Sequence, residues 1–140
     1  MLRALLLSLL LTTTAQAAQQ RTCDNLDANA GNVDWDQPTR TFANGKIRMI
    51  KIDIEEPACC AVFLMALYPV PDQPFPGCTL VGVKEGYGYN KMNLETAVAS
   101  YDARIGLTVR LPVVVFDSGA YFDEILQVTV NQALGLFLAR

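Results

Sequence analysis

Residues 46–83 constrain the fold of this chain more than any other stretch, because they hold three apolar segments and three of the four cysteines. In the first segment, 46–54, isoleucines alternate with charged residues towards the C-terminal end. Side chains two apart share one face of an extended chain, so this alternation indicates a half-buried strand. Asn44-Gly45 precedes the segment, and both residues suit the positive φ of a type I′ turn. The sequence therefore predicts a hairpin in which 39–43 pairs with 46–54.

The second apolar segment, 59–67, contains no charged residue and is apolar on both faces. This pattern suits a central strand that is covered on both sides. A buried helix is the competing interpretation, since alanine, leucine and methionine favour helix and Pro57 suits a first helical turn. We favour the strand, because the segment is short for a helix and the preceding hairpin needs a partner. The Pro-rich segment 69–77 cannot join a sheet, and 78–83 resumes it.

The C-terminal half of the chain predicts further strands. Apolar residues alternate over 107–116 and again over 124–130, and 136–139 forms a short last strand. The residues between these segments contain turn-forming Asp, Asn, Ser and Gly. Pro112 cannot donate a hydrogen bond to a neighbouring strand, so its strand should lie at a sheet edge or bulge there.

Residues 93–105 fit both a helical and an alternating pattern of apolar positions. We favour a short helix or helical turn near 93–99, with Asn93 as its N-cap. Sequential strands joined by short turns give a mostly β fold, either a small antiparallel β-sandwich or a closed twisted sheet. An α+β fold is the alternative.

Residues 1–17 have the pattern of a signal peptide. Arg3 supplies the positive charge, a short leucine-rich core follows, and Ala15-Gln16-Ala17 is a small-x-small cleavage pattern. The core is far shorter than the roughly 20 apolar residues of a membrane span. We therefore expect a periplasmic or secreted protein with no stable membrane insertion after cleavage.

The remainder of the chain is short enough for one domain. Residues 18–38 are polar and show no clear period, so they predict an irregular N-terminal arm. We expect Cys23 and Trp35 to tie this arm to the body. Residues 39–140 then form a single β-rich domain.

Four cysteines in an exported domain predict two disulfides, for which there are three pairings. A bond between Cys59 and Cys60 is geometrically poor. Neighbouring Cα atoms are only about 3.8 Å apart, and extended neighbours direct their side chains to opposite faces. We therefore expect Cys59 and Cys60 to pair separately with Cys23 and Cys78, in an order that the sequence leaves open. One of these bonds would close a loop of roughly 18 residues and contribute about 3 kcal/mol.

Charge and composition exclude several functions. The formal net charge is −3 and the basic residues are scattered singly, which argues against nucleic acid as a partner. The sequence has no histidine, so Ser-His-Asp triads and Cys-His dyads are excluded. Acidic residues cluster at two predicted turns, where we interpret them as solvated. They are Glu55, Glu56, Asp117, Asp123 and Glu124. We therefore expect no enzymatic activity.

Two metal sites are conceivable, and we favour neither. Calcium would use oxygen ligands in the N-terminal arm, but their spacing does not fit an EF-hand loop. Copper would use sulfur ligands, but methionine in an apolar strand is usually part of the core. We therefore expect no metal and no cofactor. The oxygen ligands would be Asp27, Asn29, Asp34 and Asp36, and the sulfur ligands Cys59, Cys60, Met49, Met65 and Met92.

The best candidate for a binding site is the glycine- and tyrosine-rich loop 86–90. Tyr87, Tyr89 and Asn90 offer broad ring surfaces and polar groups, with Trp35 and Phe75 as potential neighbours. The alternative interpretation is that one or both tyrosine rings fold back and cover the end of a sheet.

The function that these observations favour is that of a non-catalytic structural or protein-interaction protein of the cell envelope. Its partner would then be another envelope protein. The alternative is a module that binds a small ligand or a glycan through loop 86–90.

Overall fold

The computed structural model describes residues 17–37 and 39–140. The predicted leader therefore lies almost wholly outside the described residues, and so does Pro38. Within the described residues the chain forms ten strands and two short 3₁₀ turns. The strands are β1 (Gln19–Thr22), β2 (Arg40–Phe42), β3 (Ile47–Asp53), β4 (Val62–Tyr68), β5 (Gly77–Gly82), β6 (Lys91–Met92), β7 (Val98–Asp102), β8 (Gly106–Asp117), β9 (Ala120–Asn131) and β10 (Leu136–Ala139). The turns are Ala30–Asn32 and Leu94–Thr96.

The strands form two antiparallel sheets. The first sheet has the order β1-β5-β4-β3-β2, and the second has the order β10-β9-β8-β6, with β7 also pairing β8. Apolar side chains from both sheets make up the main core, so the predicted mostly β sandwich is confirmed in preference to a closed sheet. In the part of the chain that the structure describes, no helix is long and apolar enough to cross a membrane.

The predicted hairpin is β2–β3. Phe42 pairs with Ile47, and the backbone N–H of Lys46 donates to the carbonyl of Ala43 at 3.2 Å. Asn44 and Gly45 have φ values of 56° and 82°, as a type I′ turn requires. The local pattern was therefore sufficient to place this turn.

The predicted central strand is β4, which lies between β3 and β5. Val62 and Leu64 face the main core, while Phe63 packs on the opposite face with Ile52 and Leu80. The strand interpretation is therefore confirmed over the helix. The segment is apolar on both faces because each face of β4 packs against other residues.

The N-terminal arm covers the outer face of the first sheet. It begins with β1, a strand that the polar sequence did not predict, and Val33 forms a bridge with Ile52. The guanidinium of Arg21 lies 5.0 Å from the ring centroid of Phe63. The expectation for Trp35 was wrong: its side chain is 74% exposed, and its indole N–H donates to a carbonyl within the arm.

The ambiguous segment 93–105 contains a helical turn and a strand. Asn93 caps the turn by accepting a hydrogen bond from the backbone N–H of Glu95 at 2.9 Å. The helical geometry ends at Thr96, because the following residues pair with β8 as strand β7. The N-cap and the helical turn are confirmed, and a helix extending to residue 99 is not.

Pro112 lies within β8, which is neither an edge strand nor bulged at this point. On one side β8 pairs with β9 along its whole length. On the other side β6 ends with Met92 opposite Val113, and β7 begins with Val98 opposite Arg110. The missing N–H of Pro112 falls in the gap between β6 and β7, so it removes no hydrogen bond from the sheet.

Candidate functional site

The cysteine pairing differs from the one predicted. Cys23 bonds Cys78 with the Cα atoms 5.5 Å apart, and Cys59 bonds its neighbour Cys60. The prediction assumed that Cys59 and Cys60 were extended, with side chains on opposite faces. Instead Cys60 has a φ of 70°, and β4 begins only at Val62. The chain therefore turns at this pair, and the two side chains can meet.

The loop 84–90 crosses from the first sheet to the second next to this disulfide. The backbone N–H of Gly88 donates to the carbonyl of Cys60 at 2.7 Å, and that of Tyr89 donates to Val62 at 2.6 Å. At the far end, the N–H of Asn90 donates to Val114 of β8 at 2.8 Å. A Cβ atom on Gly88 would lie 2.3 Å from the carbonyl oxygen of Val62, so only glycine fits this crossing.

The two tyrosines of the loop have different environments. Tyr89 is buried in the main core, and its hydroxyl donates to the carbonyl of Gly82 at 3.4 Å. Burial, and to a lesser extent the negative charge of Glu124, raises the pKa of Tyr89. Tyr87 is 53% exposed, with the ammonium of Lys84 lying 4.8 Å from its ring centroid. Of the two rings, only that of Tyr87 is presented to solvent.

The remaining candidates of the loop site lie apart from Tyr87. Asn90 is half-buried, and its backbone is held by β8. Trp35 belongs to the N-terminal arm and Phe75 to the connection between β4 and β5. Both side chains are exposed, but neither lines the cavity beside Tyr87.

The candidate metal ligands are also not brought together. Asp27 pairs with Arg21 at 2.7 Å, and Asp34 pairs with Lys51 at 2.8 Å. Met49 and Met92 belong to the main core, whereas Met65 packs on the other side of the first sheet. Across residues 17–37 and 39–140, no group of three acidic or cysteine side chains is placed to hold a metal ion.

The β8–β9 hairpin supplies the residues that sequence reasoning missed. Its two-residue turn, Ser118-Gly119, has φ values of 49° and 84°. The rings of Phe116 and Tyr121 pack against each other with centroids 5.0 Å apart. Both are exposed to solvent, as is the neighbouring Phe122. The alternation of apolar residues predicts this strand only from residue 124, although three aromatic residues around a Ser-Gly turn are a visible signal.

The loop, the Cys59–Cys60 disulfide and the hairpin meet at one end of the sandwich. A cavity of about 150 Å³ is lined by Tyr87, Phe116 and Cys60, among others. Cys60 also lines an adjacent groove together with Tyr121. We call this end the aromatic end and define it by its four exposed rings. These are Tyr87, Phe116, Tyr121 and Phe122.

No protein-family model, no curated protein and no solved structure matches this chain. The aromatic end therefore has to be interpreted from its own geometry and chemistry.

Proposed function

We propose that this chain is exported to the periplasm or the cell exterior and acts there as a non-catalytic protein that binds another envelope protein. Two disulfides support an oxidising compartment, since such bonds rarely persist in the cytosol. The signal-peptide pattern of residues 1–17 supports export. The absence of histidine from the sequence supports a non-catalytic role.

The single observation that carries the binding role is the exposure of the aromatic end. The side chains of Phe116, Tyr121 and Phe122 are 37%, 60% and 48% exposed on one hairpin. Large rings are normally buried in a folded domain, and aromatic residues are enriched in the central contacts of protein interfaces. Since the hairpin is held by a continuous ladder between β8 and β9, these rings are presented with little conformational freedom.

Export is tested by the mass of the protein recovered from the producing cell. Cleavage after Ala17 should leave a chain that begins at Ala18 and that contains no free thiol before reduction. The control variant Ala17→Arg places a large charged residue at the cleavage site and should retain the leader. Recovery of an uncleaved chain with four free thiols from the cytoplasm would contradict the proposal.

Partner binding is tested by placing a photo-crosslinking residue at Phe116 or Tyr121 in the producing cell. Both positions should yield the same crosslinked protein. Ile105 provides the matched control, because it is 55% exposed and lies at the opposite end of β8. Purified partner should then bind the parent protein and bind Tyr121→Ser more weakly. Equal crosslinking from all three positions, or none from any, would contradict the assignment.

A second candidate function is the capture of a small ligand or a glycan by Tyr87. Its support is the position of the half-exposed ring beside a cavity. However, ligand sites usually measure about 300–1,000 Å³, and this cavity is smaller. A screen of sugars by chemical-shift perturbation separates the two functions. A ligand whose binding is lost in Tyr87→Ala but retained in Tyr121→Ser would favour the second.

A further inference from the structure

Strand β9 is longer than the neighbour that pairs with it on the side away from β8. Strand β10 pairs with residues 128–131, and the last backbone hydrogen bonds join Arg140 and Gln127 at 2.9 and 3.0 Å. From Ala120 to Leu126, β9 has no strand partner on this side within the described residues. Among the described residues, 120–126 of β9 therefore form an open sheet edge.

The hairpin register shows which backbone groups this edge offers. Asp117 and Ala120 flank a two-residue turn, so the even-numbered residues of β9 exchange hydrogen bonds with β8. The bonds of Gln127 to Arg140 agree with this alternation, since its N–H and carbonyl point the other way. Tyr121, Asp123 and Ile125 therefore direct their N–H and carbonyl groups outwards. We call these three residues the open edge.

We propose that an extended segment of the partner protein adds to the open edge as a further strand of the second sheet. This inference rests on the proposed binding function and specifies how the partner is held. An unpaired row of N–H and carbonyl groups is a template for strand addition, in which main-chain bonds provide affinity and side-chain pockets provide specificity.

A side-chain pocket lies beside this edge. The cavity of about 150 Å³ is lined by Ile125 and by the inward-facing Glu124 and Leu126, with Tyr87 and Val115 on other walls. In an added strand, every second side chain would face the same way as Glu124 and Leu126. The cavity is too small for a typical free ligand but has room for one such side chain.

The charges near the edge favour a basic partner segment. Asp117, Asp123 and Glu124 form no ion pair among the described residues. The two nearby cations have other contacts: the ammonium of Lys84 lies over the ring of Tyr87, and the guanidinium of Arg140 lies 2.7 Å from the side-chain amide of Gln127. Like charges opposite one another destabilise a strand pair, and opposite charges stabilise it.

The same charges disfavour a second copy of this chain as the occupant. A symmetric antiparallel pairing that uses all three open-edge residues would set Asp123 directly opposite Asp123 of the other copy. The expected occupant is therefore a partner strand in which apolar and basic residues alternate.

The test uses a synthetic peptide of alternating valine and lysine, with a valine–glutamate peptide as its charge control. Both are titrated into the purified protein after removal of residues 1–17, so that these residues cannot occupy the edge. We expect the lysine peptide to bind and to slow amide hydrogen exchange at Tyr121, Asp123 and Ile125. Amides of β7, which lies on the opposite edge of the second sheet, should be unaffected.

Two variants at residue 123 distinguish the contribution of the backbone N–H to peptide binding from that of the carboxylate. Asp123→Asn removes the carboxylate and keeps the N–H, whereas Asp123→Pro also removes the N–H, which β8 does not use. We expect Asp123→Pro to weaken peptide binding at least about tenfold more than Asp123→Asn does, because proline removes a donor and obstructs the approach of a strand.

Other results would overturn strand addition or the choice of occupant. If Asp123→Pro is folded and binds the peptide like Asp123→Asn, strand addition is overturned. If it also binds the crosslinked partner normally while Tyr121→Ser does not, the proposed binding function survives without strand addition. If the open-edge amides are protected in the protein alone and a dimer forms, the occupant is a second copy, and the partner assignment is overturned.

Discussion

The contact between the loop 84–90 and β4 depends on Gly88. A Cβ atom at this position would lie 2.3 Å from the carbonyl oxygen of Val62 and 2.8 Å from that of Cys60. Both are backbone atoms, which cannot move aside as a side chain can. The close approach is what allows the loop to bond β4 and then reach β8.

Gly88→Ala should therefore lower the free energy of unfolding by about 2–3 kcal/mol, the upper part of the usual cost of overpacking, because backbone atoms obstruct the new Cβ. Gly86→Ala is the matched control from the same loop. Its φ is +75°, but a Cβ there would meet nothing within 4 Å, so the cost should be about 1 kcal/mol. Denaturant unfolding measures both. An equal loss in the two variants would show that backbone strain, and not the close approach, dominates.

Tyr89 should make the stability of the fold depend on pH in the alkaline range. Because burial raises its pKa, the folded state keeps the phenol neutral at a pH where the unfolded state begins to ionise. Its contribution is complete below a pH of about 10 and is lost as the pH rises above that value, by up to about 1.4 kcal/mol per pH unit.

Tyr89→Phe should remove this part of the alkaline loss, so its unfolding free energy should fall less steeply between pH 10 and 11 than that of the parent. Tyr101→Phe, at a ring that is 71% exposed, is the control and should follow the parent. Equal slopes for all three proteins would mean that Tyr89 does not contribute to alkaline unfolding.

At the scale of elements, the two disulfides should contribute unequally to stability. The Cys23–Cys78 bond spans 55 residues and attaches the N-terminal arm to β5, whereas Cys59–Cys60 joins neighbours and closes no long loop. In the chain-entropy model the first contributes about 4 kcal/mol. The double variant Cys23→Ser/Cys78→Ser should lose about that amount, and Cys59→Ser/Cys60→Ser should lose much less. Similar losses would show that the turn at Cys60 needs its bond.

The strands that the sequence predicts well are those with a local signal. The hairpin β2–β3 follows from Asn44-Gly45, and β4 follows from an apolar run that suits two covered faces. The cysteine pairing was wrong because the prediction extended β4 back to Cys59, whereas the positive φ of Cys60 bends the chain there. A two-state choice between helix and strand does not anticipate such a turn.

The candidate site could be predicted only in part. The sequence singled out both Tyr87 and Tyr89 as binding candidates, but which of the two rings is exposed depends on which residue of the loop bonds β4. The open edge depends on where β10 stops along β9, which is a property of three strands together. No local pattern in 120–126 reveals it.

At the scale of the whole molecule, the two sheets are covered differently. The outer face of the first sheet is buried beneath the N-terminal arm, where Ile52, Phe63 and Leu80 form a second small core. The outer face of the second sheet has no such cover among the described residues, and apolar side chains there are exposed. They include Val98, Ile125, Leu136 and Leu138. The arm therefore adds a third layer to the sandwich, on the outer face of the first sheet.

This asymmetry predicts two levels of protection against amide hydrogen exchange. The amides of β4 should exchange only when the whole molecule unfolds, because both faces of that strand are covered. The amide of Asp34, which donates to the carbonyl of Lys51 at 3.1 Å, should exchange at lower free energy, through detachment of the arm alone.

In Cys23→Ser/Cys78→Ser both levels should fall: that of β4 by the loss in the free energy of global unfolding, and that of Asp34 because the detached arm is no longer tethered to β5. Amides of β9 that bond β8 should follow those of β4, because the disulfide joins the arm to the first sheet and affects the second sheet only through global unfolding. Native-state exchange monitored by NMR measures all three groups. If Asp34 and β4 instead exchange together in both proteins, the arm and the sandwich unfold as one cooperative unit, and the arm is part of the core and not a cover over it.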